Sequence, residues 1–447
     1  MSGLLPLALG FAAAHAIVIW TTFRAVHGLA LGDVRLYGEW ARSALAGHGW
    51  LGVTDSWVYP AGAQLPILAA SGVAAAVGAT YRVGWVALVV GLNAVLTVLL
   101  LRWGEHGRRA AWWYFGFLVA LGPVSIVRLD AVAAVLAAVG LLVVVARPAL
   151  SAALLVLAAW VKVWPAVLLL PVTAFLGVRR AARVVVPPLL ASAGFVVVAV
   201  AAGGEVLGFL TAQTARGVQV ESVAATPLLW WDWVHGRQAA ISDHALRTYV
   251  VRGDAAHTVT LVSDAVLPLV AAGAALCLLR AWRRGAARTD LLVLGSFLLP
   301  VTVFAANKVG SPQYMSWLVP GVLAAIVTGR RGWTPAVAGT LVTAAATQVV
   351  FPYLYRPFLR GEVLPLLVLT LRNAALVALL AWALLAVVRL PGRATACAGP
   401  AGGSGGTGTA RHALSGVPEP RPWHDGQDAA PAPNGYPRDS VRTRSGP

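Results

Sequence analysis

Lysine is nearly missing from this chain. Of its 34 Lys and Arg residues only Lys162 and Lys308 are lysine. Cysteine is equally scarce. Cys277 sits inside an apolar run and Cys397 in a polar stretch near the C-terminus, so no disulfide between them is expected, and two cysteines cannot make a metal ligand set. Charge is low, at 11% of residues, where a soluble domain carries about 25%. The chain also lacks a P-loop, a G-x-G-x-x-G turn, an H-E-x-x-H helix and a Ser-centred elbow, which removes the chemistries those motifs serve. Its acidic residues are too dispersed to hold a metal, so no metal and no cofactor is expected.

What is present is apolar. Hydrophobic residues make up 59% of the chain, and several runs approach the roughly 20 residues that a bilayer crossing needs. The fold class expected is an all-α polytopic membrane protein. The formal charge of +17 comes from arginines spread through loops between apolar runs. There they set orientation in the membrane. No dense basic run interleaves with aromatics, so no nucleic-acid partner is expected.

Hydropathy and charge together place about 12 spans: 4–23, 83–101, 111–127, 130–146, 149–161, 163–178, 184–202, 260–281, 289–306, 312–328, 334–354 and 364–388. The first is favoured as an uncleaved span over a signal peptide, because no basic residue precedes it. Charge decides two further points. Treating 62–80 as a short re-entrant or interfacial helix keeps the basic loop 102–109 inside, as the positive-inside rule prefers. Splitting 149–178 into two short helices lifts Lys162 away from mid-membrane, where it would cost about 2.5–3.5 kcal/mol, and keeps the arginines of 179–183 inside. The loops 280–288 and 329–332 then fall inside as well. From Pro391 the chain is rich in Gly, Pro, Ala, Ser and Arg, and a disordered cytoplasmic tail over 391–447 is expected.

On this topology the costly polar residues share the outer side. Helical spacing of Val34, Tyr37, Ala41, Ala44 and Leu45 predicts an amphipathic helix in the first outer loop, stopped near Gly47. Asp33 at its start is an N-cap, a carboxylate oriented for base catalysis, or both at once. Glu39 faces water and Asp55 sits in a turn. Tyr59 precedes Pro60, where the re-entrant helix starts. Arg128 and Asp130 lie at the tip of a turn, either as a local ion pair or as a polar wall. Lys162 either snorkels or meets a phosphate as a point charge, with Trp160 and Trp164 read as interfacial anchors. Lys308 sits at another outer turn beside Asn307, Ser311 and Gln313, with Pro312 opening the next helix. Trp230, Trp231 and Trp233 either stack on a sugar or form an aromatic belt, with His235 nearby.

The runs "GDVRLY" (32–37), "VKVWP" (161–165) and "NKVGSPQYMSWL" (307–318) resemble the polyprenyl-phosphate-dependent glycosyltransferases of the membrane GT-C class, closest to the α-mannosyltransferases of family 87, over about residues 1–390. The resemblance implies a GT-C-like bundle in the cell membrane that works on its extracytoplasmic face. It implies a lipid-linked sugar donor, polyprenyl-phosphate mannose in type, a glycolipid or glycan acceptor, and inversion at the anomeric carbon. By position Asp33 would be the general base. Lys162, Lys308 and Arg128 would hold the donor phosphate. Tyr37, Tyr59, Asp130, Asn307, Ser311, Gln313, Tyr314 and His235 would line the cleft. A transporter or flippase of a lipid-linked sugar is the alternative.

Overall fold

A computed structural model describes residues 4–25, 29–237, 240–243 and 248–392. Residues 393–447, with Cys397 and nearly all of the expected tail, lie outside the described residues. The regular structure of the described residues is helical apart from one antiparallel strand pair, Ala240–Asp243 with Thr248–Val251. Seven helical stretches are long and apolar enough to cross a membrane: Leu4–Arg24, Tyr81–Leu121, Val178–Ala201, Asp254–Arg283, Arg288–Ala306, Thr334–Tyr353 and Val363–Val388. This is a multi-pass membrane protein.

Tyr81–Leu121 is 41 residues long, about 60 Å if straight and twice the apolar thickness of a bilayer. It does not run straight. The helix Tyr81–Leu100 ends in a short 3-10 turn, and Gly104 takes φ +56, a conformation that a side chain resists, before Gly104–Leu121 begins. The two limbs run antiparallel. Trp85 Nε1 donates to the Ile126 carbonyl at 2.9 Å, and Tyr114 donates to Asn93 Oδ1 at 2.8 Å.

Five further apolar helices are shorter than a full crossing: Ala61–Ala76, Leu129–Val143, Pro148–Val161, Trp164–Leu176 and Pro312–Val327. Four of them fall on the expected spans 130–146, 149–161, 163–178 and 312–328, and Ala61–Ala76 falls on the short helix expected at 62–80. Each shortening has a local cause. Arg128 is extended (φ −115°, ψ 149°) and stops the helix before Leu129. Lys162 is extended (φ −153°, ψ 132°) and splits 148–176, as its charge foretold. Pro165 and Pro312 each open a 3-10 segment, Trp164–Leu168 and Pro312–Leu318, because a proline has no N–H to give the preceding turn.

The basic loops converge at one end of the bundle. Glu105 pairs with Arg108 and Arg109. Gly329 packs on the His106 ring, Arg330 pairs with Asp290, Gly177 lies against the Arg288 guanidinium, and Arg284 reaches the Val388 carbonyl. The helix Arg288–Ala306, about 28 Å long at 1.5 Å per residue, links this end to the polar one, where Lys308 and the loops around residues 33, 59, 128, 162, 216 and 355 meet.

Candidate functional site

The first outer loop builds one wall. The amphipathic helix forms over Gly32–Leu45 and buries Val34, Tyr37, Ala41 and Ala44, whereas Leu45 is exposed. Gly47, at φ +78, ends it as expected. The capping reading of Asp33 does not hold. Leu31 is the N-cap, no side chain caps the helix, and Asp33 lies in its first turn with its carboxylate paired to Arg128. Glu39 faces solvent opposite Arg35, and Asp55 bonds Thr54 in a turn.

The local Arg128–Asp130 pair is likewise corrected. Arg128 leaves extended backbone toward Asp33, with its guanidinium 5.7 Å from the centre of the Phe351 ring. Asp130, two residues on and inside the helix, turns the other way and is 1% exposed. Its Oδ2 accepts from Lys162 Nζ at 3.1 Å and its Oδ1 from Trp317 Nε1 at 2.7 Å. Trp317 stacks on Trp164 and on Tyr314, the latter at 3.8 Å between centroids. Trp164 is thus a buried packing residue and not an interfacial anchor. The Lys162 ammonium lies 4.6 Å from the centre of the Tyr59 ring. Burial pushes that lysine down and the Asp130 charge partly restores it.

Two cavities meet across Tyr59. One, of about 880 Å³, is the more polar of the two and contains Asp33, Tyr37, Tyr59, Arg128, Arg216, Glu221, Ser311, Gln313 and Tyr355 in its walls. The other, of about 370 Å³, is mainly apolar. Val163, Val167, Leu210, Leu267 and Val303 line it, with Lys162, Asn307, Lys308, Tyr314 and Asp264 among them. Volumes of this order suit small-molecule ligands. Val58 and Tyr59 border both. Burial raises the Tyr59 phenol to about 12, so it stays protonated and is a hydrogen-bond donor.

Most residues expected at the site are therefore brought together, from segments hundreds of positions apart. His235 is not. It is exposed, lines neither cavity and bonds the Trp231 carbonyl at 2.7 Å. Trp231 and Trp233 are also exposed, and Trp230 donates to Thr370 Oγ1, which fits a belt and not a sugar platform. The aromatic wall of the polar cavity comes from elsewhere: Trp40, Trp57 and Tyr59 meet edge to face at 5.1–6.2 Å. Lys308 is not a free cation at a turn. It is 5% exposed and donates to Asp264 and to the Thr214 carbonyl.

Several site residues were not foreseen. Arg372 lies in the middle of the apolar helix Val363–Val388 and is 2% exposed. It donates to the carbonyls of Glu221 and Gly310, to Thr347 Oγ1 and to Asn373 Oδ1. Hydrogen bonds to a charged group contribute about 1.5–3 kcal/mol each, so Arg372 pins two cavity loops to one helix. Gly310 permits the approach, since a Cβ there would meet Ser222 backbone at 2.4 Å. Glu221 is buried and accepts from the Tyr355 hydroxyl at 2.6 Å; burial pushes its carboxyl up. Asp264 was hidden inside an expected span. A charged side chain in an apolar run is a functional signal by default, and it was available in the sequence for both Arg372 and Asp264.

Among the described residues no group of three or more His, Cys, Asp or Glu is placed to hold a metal ion. The chemistry at hand is that of an oriented carboxylate beside several cations and aromatic rings. A scan against protein-family models finds no match to this chain, and searches of curated proteins and of solved structures find none either.

Proposed function

We propose that this chain is an integral-membrane glycosyltransferase of the GT-C type, with both short and long helices serving as spans of a bundle of about 12. It moves a sugar, mannose by the resemblance, from a polyprenyl-phosphate donor to a hydroxyl of a glycolipid or glycan on the extracytoplasmic face of the cell membrane. One observation carries the reading: a polar cavity holding an oriented carboxylate, Asp33, adjoins an apolar groove containing both lysines, across a single tyrosine.

The division of labour follows from the walls. The apolar groove suits a prenyl chain. Its end at Tyr59, where the two cavities meet, suits the phosphate. The sugar would enter the larger cavity, where Trp40 and Trp57 offer rings to stack on. Arg128 pairs with the Asp33 carboxylate and fixes its position. Asp33 takes the proton of the acceptor hydroxyl as its oxygen attacks the anomeric carbon. The bond from that carbon to the phosphate oxygen breaks, the electron pair leaves with the polyprenyl phosphate, and configuration inverts. Nearby cations stabilise the departing charge.

The test is transfer of labelled mannose from polyprenyl-phosphate mannose by membranes containing the chain. Transfer above that of control membranes is expected; its absence with every polyprenyl-phosphate sugar offered would sink the reading. A flippase of lipid-linked sugars is the second reading. Two 3-10 segments, one directly after Lys162–Val163 (Trp164–Leu168) and one shortly after Lys308–Val309 (Pro312–Leu318), resemble the paired helix breaks of transporters. Donor movement across vesicles without transfer would favour it.

Orientation has its own test. In a background with Cys277→Ala and Cys397→Ala, Arg252→Cys is expected to react with an impermeant maleimide on intact cells. Arg331→Cys should react only after permeabilisation. The reverse pattern would put the cavities on the cytoplasmic face and defeat the proposed site.

A further inference from the structure

Among the described residues, the cations facing the two cavities have carboxylate partners with one exception. Arg35 pairs with Glu39, Arg128 with Asp33, Lys162 with Asp130 and Lys308 with Asp264. Arg216 lines the polar cavity and has no ion-pair partner among the described residues. It is half-buried, and its Nε is sealed from solvent with no hydrogen-bond partner. It shares the wall of the polar cavity with Tyr59, which also borders the apolar one. A partly desolvated guanidinium with an unused donor is costly alone. The sealed Nε is out of an incoming ligand's reach, but the two Nη groups make no hydrogen bond among the described residues and can take two oxygens of one anion.

The segment carrying Arg216 is held from both sides by a single residue. Lys308 Nζ donates to the Thr214 carbonyl at 3.0 Å, and the Lys308 carbonyl accepts from Gln219 N at 2.9 Å. Ser311 fixes the Gln219 side chain at 2.9 Å. The Lys308 charge is already met by Asp264 at 2.8 Å. A lysine suits this post because it joins a carboxylate and a carbonyl through one compact ammonium. A planar guanidinium has a different reach and geometry.

We infer that Arg216 is the anion-receiving group of the site, taking the phosphate of an amphiphilic phosphate ester, and that Lys308 is a positioning residue that holds the Arg216 loop. Naming the ester as the sugar donor's lipid phosphate rests on the function proposed above; the anion site itself does not.

The experiment follows the tryptophan fluorescence of the full chain in nanodiscs, since Trp40 and Trp57 line the same cavity. The probes are geranyl phosphate, geraniol and inorganic phosphate. The wild type is expected to bind geranyl phosphate at least about tenfold more tightly than geraniol, one charged contact's worth, and more tightly than inorganic phosphate. Arg216→Gln should erase the preference for the phosphate while keeping geraniol binding, which also shows that the variant folds. Arg216→Lys should restore part of it. Lys308→Met should weaken geranyl phosphate binding and speed amide exchange over 214–219. Combined with Arg216→Gln it should add no further loss, because the two act through one contact. A retained phosphate preference in Arg216→Gln overturns the assignment. An additive loss in the double variant makes Lys308 a phosphate ligand and overturns its positioning role. Inorganic phosphate binding as tightly as geranyl phosphate overturns the amphiphilic ester. A phosphate preference without sugar transfer under any donor would leave this site standing and remove the enzymatic reading.

Discussion

Asp33→Asn is expected to lower the rate of sugar transfer by about 10²–10⁴-fold, the usual worth of a positioned general base. The carboxamide keeps the size and place of the carboxylate but cannot take up the acceptor's proton. The donor KM should change less than the rate, because the donor's prenyl chain is assigned to the apolar groove, which Asp33 does not line. Stability should fall moderately. Asp33 is 31% exposed but its partner Arg128 only 13%, so the lost charge is felt, while the carboxamide oxygen can still accept from the guanidinium. A rate loss far larger than the accompanying fall in thermal midpoint explains is therefore the signature sought. Full activity in Asp33→Asn would remove this carboxylate from the chemistry.

The second large effect is on folding. Asp130→Leu leaves a buried Lys162 ammonium and the Trp317 indole N–H without their acceptor. Removing one member of a buried pair costs about 3–5 kcal/mol, because the other charge stays behind uncompensated. The thermal midpoint in detergent should fall accordingly. Asp130→Leu combined with Lys162→Met removes both charges and should recover at least half of the loss. Transfer separates structure from function here. If Lys162 also meets the donor phosphate, the double variant regains stability but not activity. Recovery of both would reduce the pair to a structural device and leave the phosphate to other cations.

Some of this site was legible in one dimension. The helix break at Lys162 follows from the price of a charge in an apolar run, and the new start at Pro312 from a residue with no N–H. The amphipathic helix after the first span follows from spacing alone, with Leu45 as the one misplaced member. The pairings were not legible. Sequence distance makes Arg128 and Asp130 look like partners. They separate because Arg128 is extended while Asp130 is already helical, and two side chains on either side of such a junction diverge. Trp164 looked like an interfacial anchor because tryptophans collect there; whether a given ring packs inward depends on the helix opposite, here the one bearing Trp317.

By itself the sequence determined that this chain lives in a membrane, roughly where its helices begin and break, and that its rare charged residues are worth following. Those properties depend on local composition and on the cost of a charge or a proline at one position. Only the tertiary structure decided which charges compensate one another, that two cavities share Tyr59, and that Arg216 is left over. A pairing is a matter of ångströms between side chains, and helix packing sets that distance without leaving a trace in the spacing of the residues.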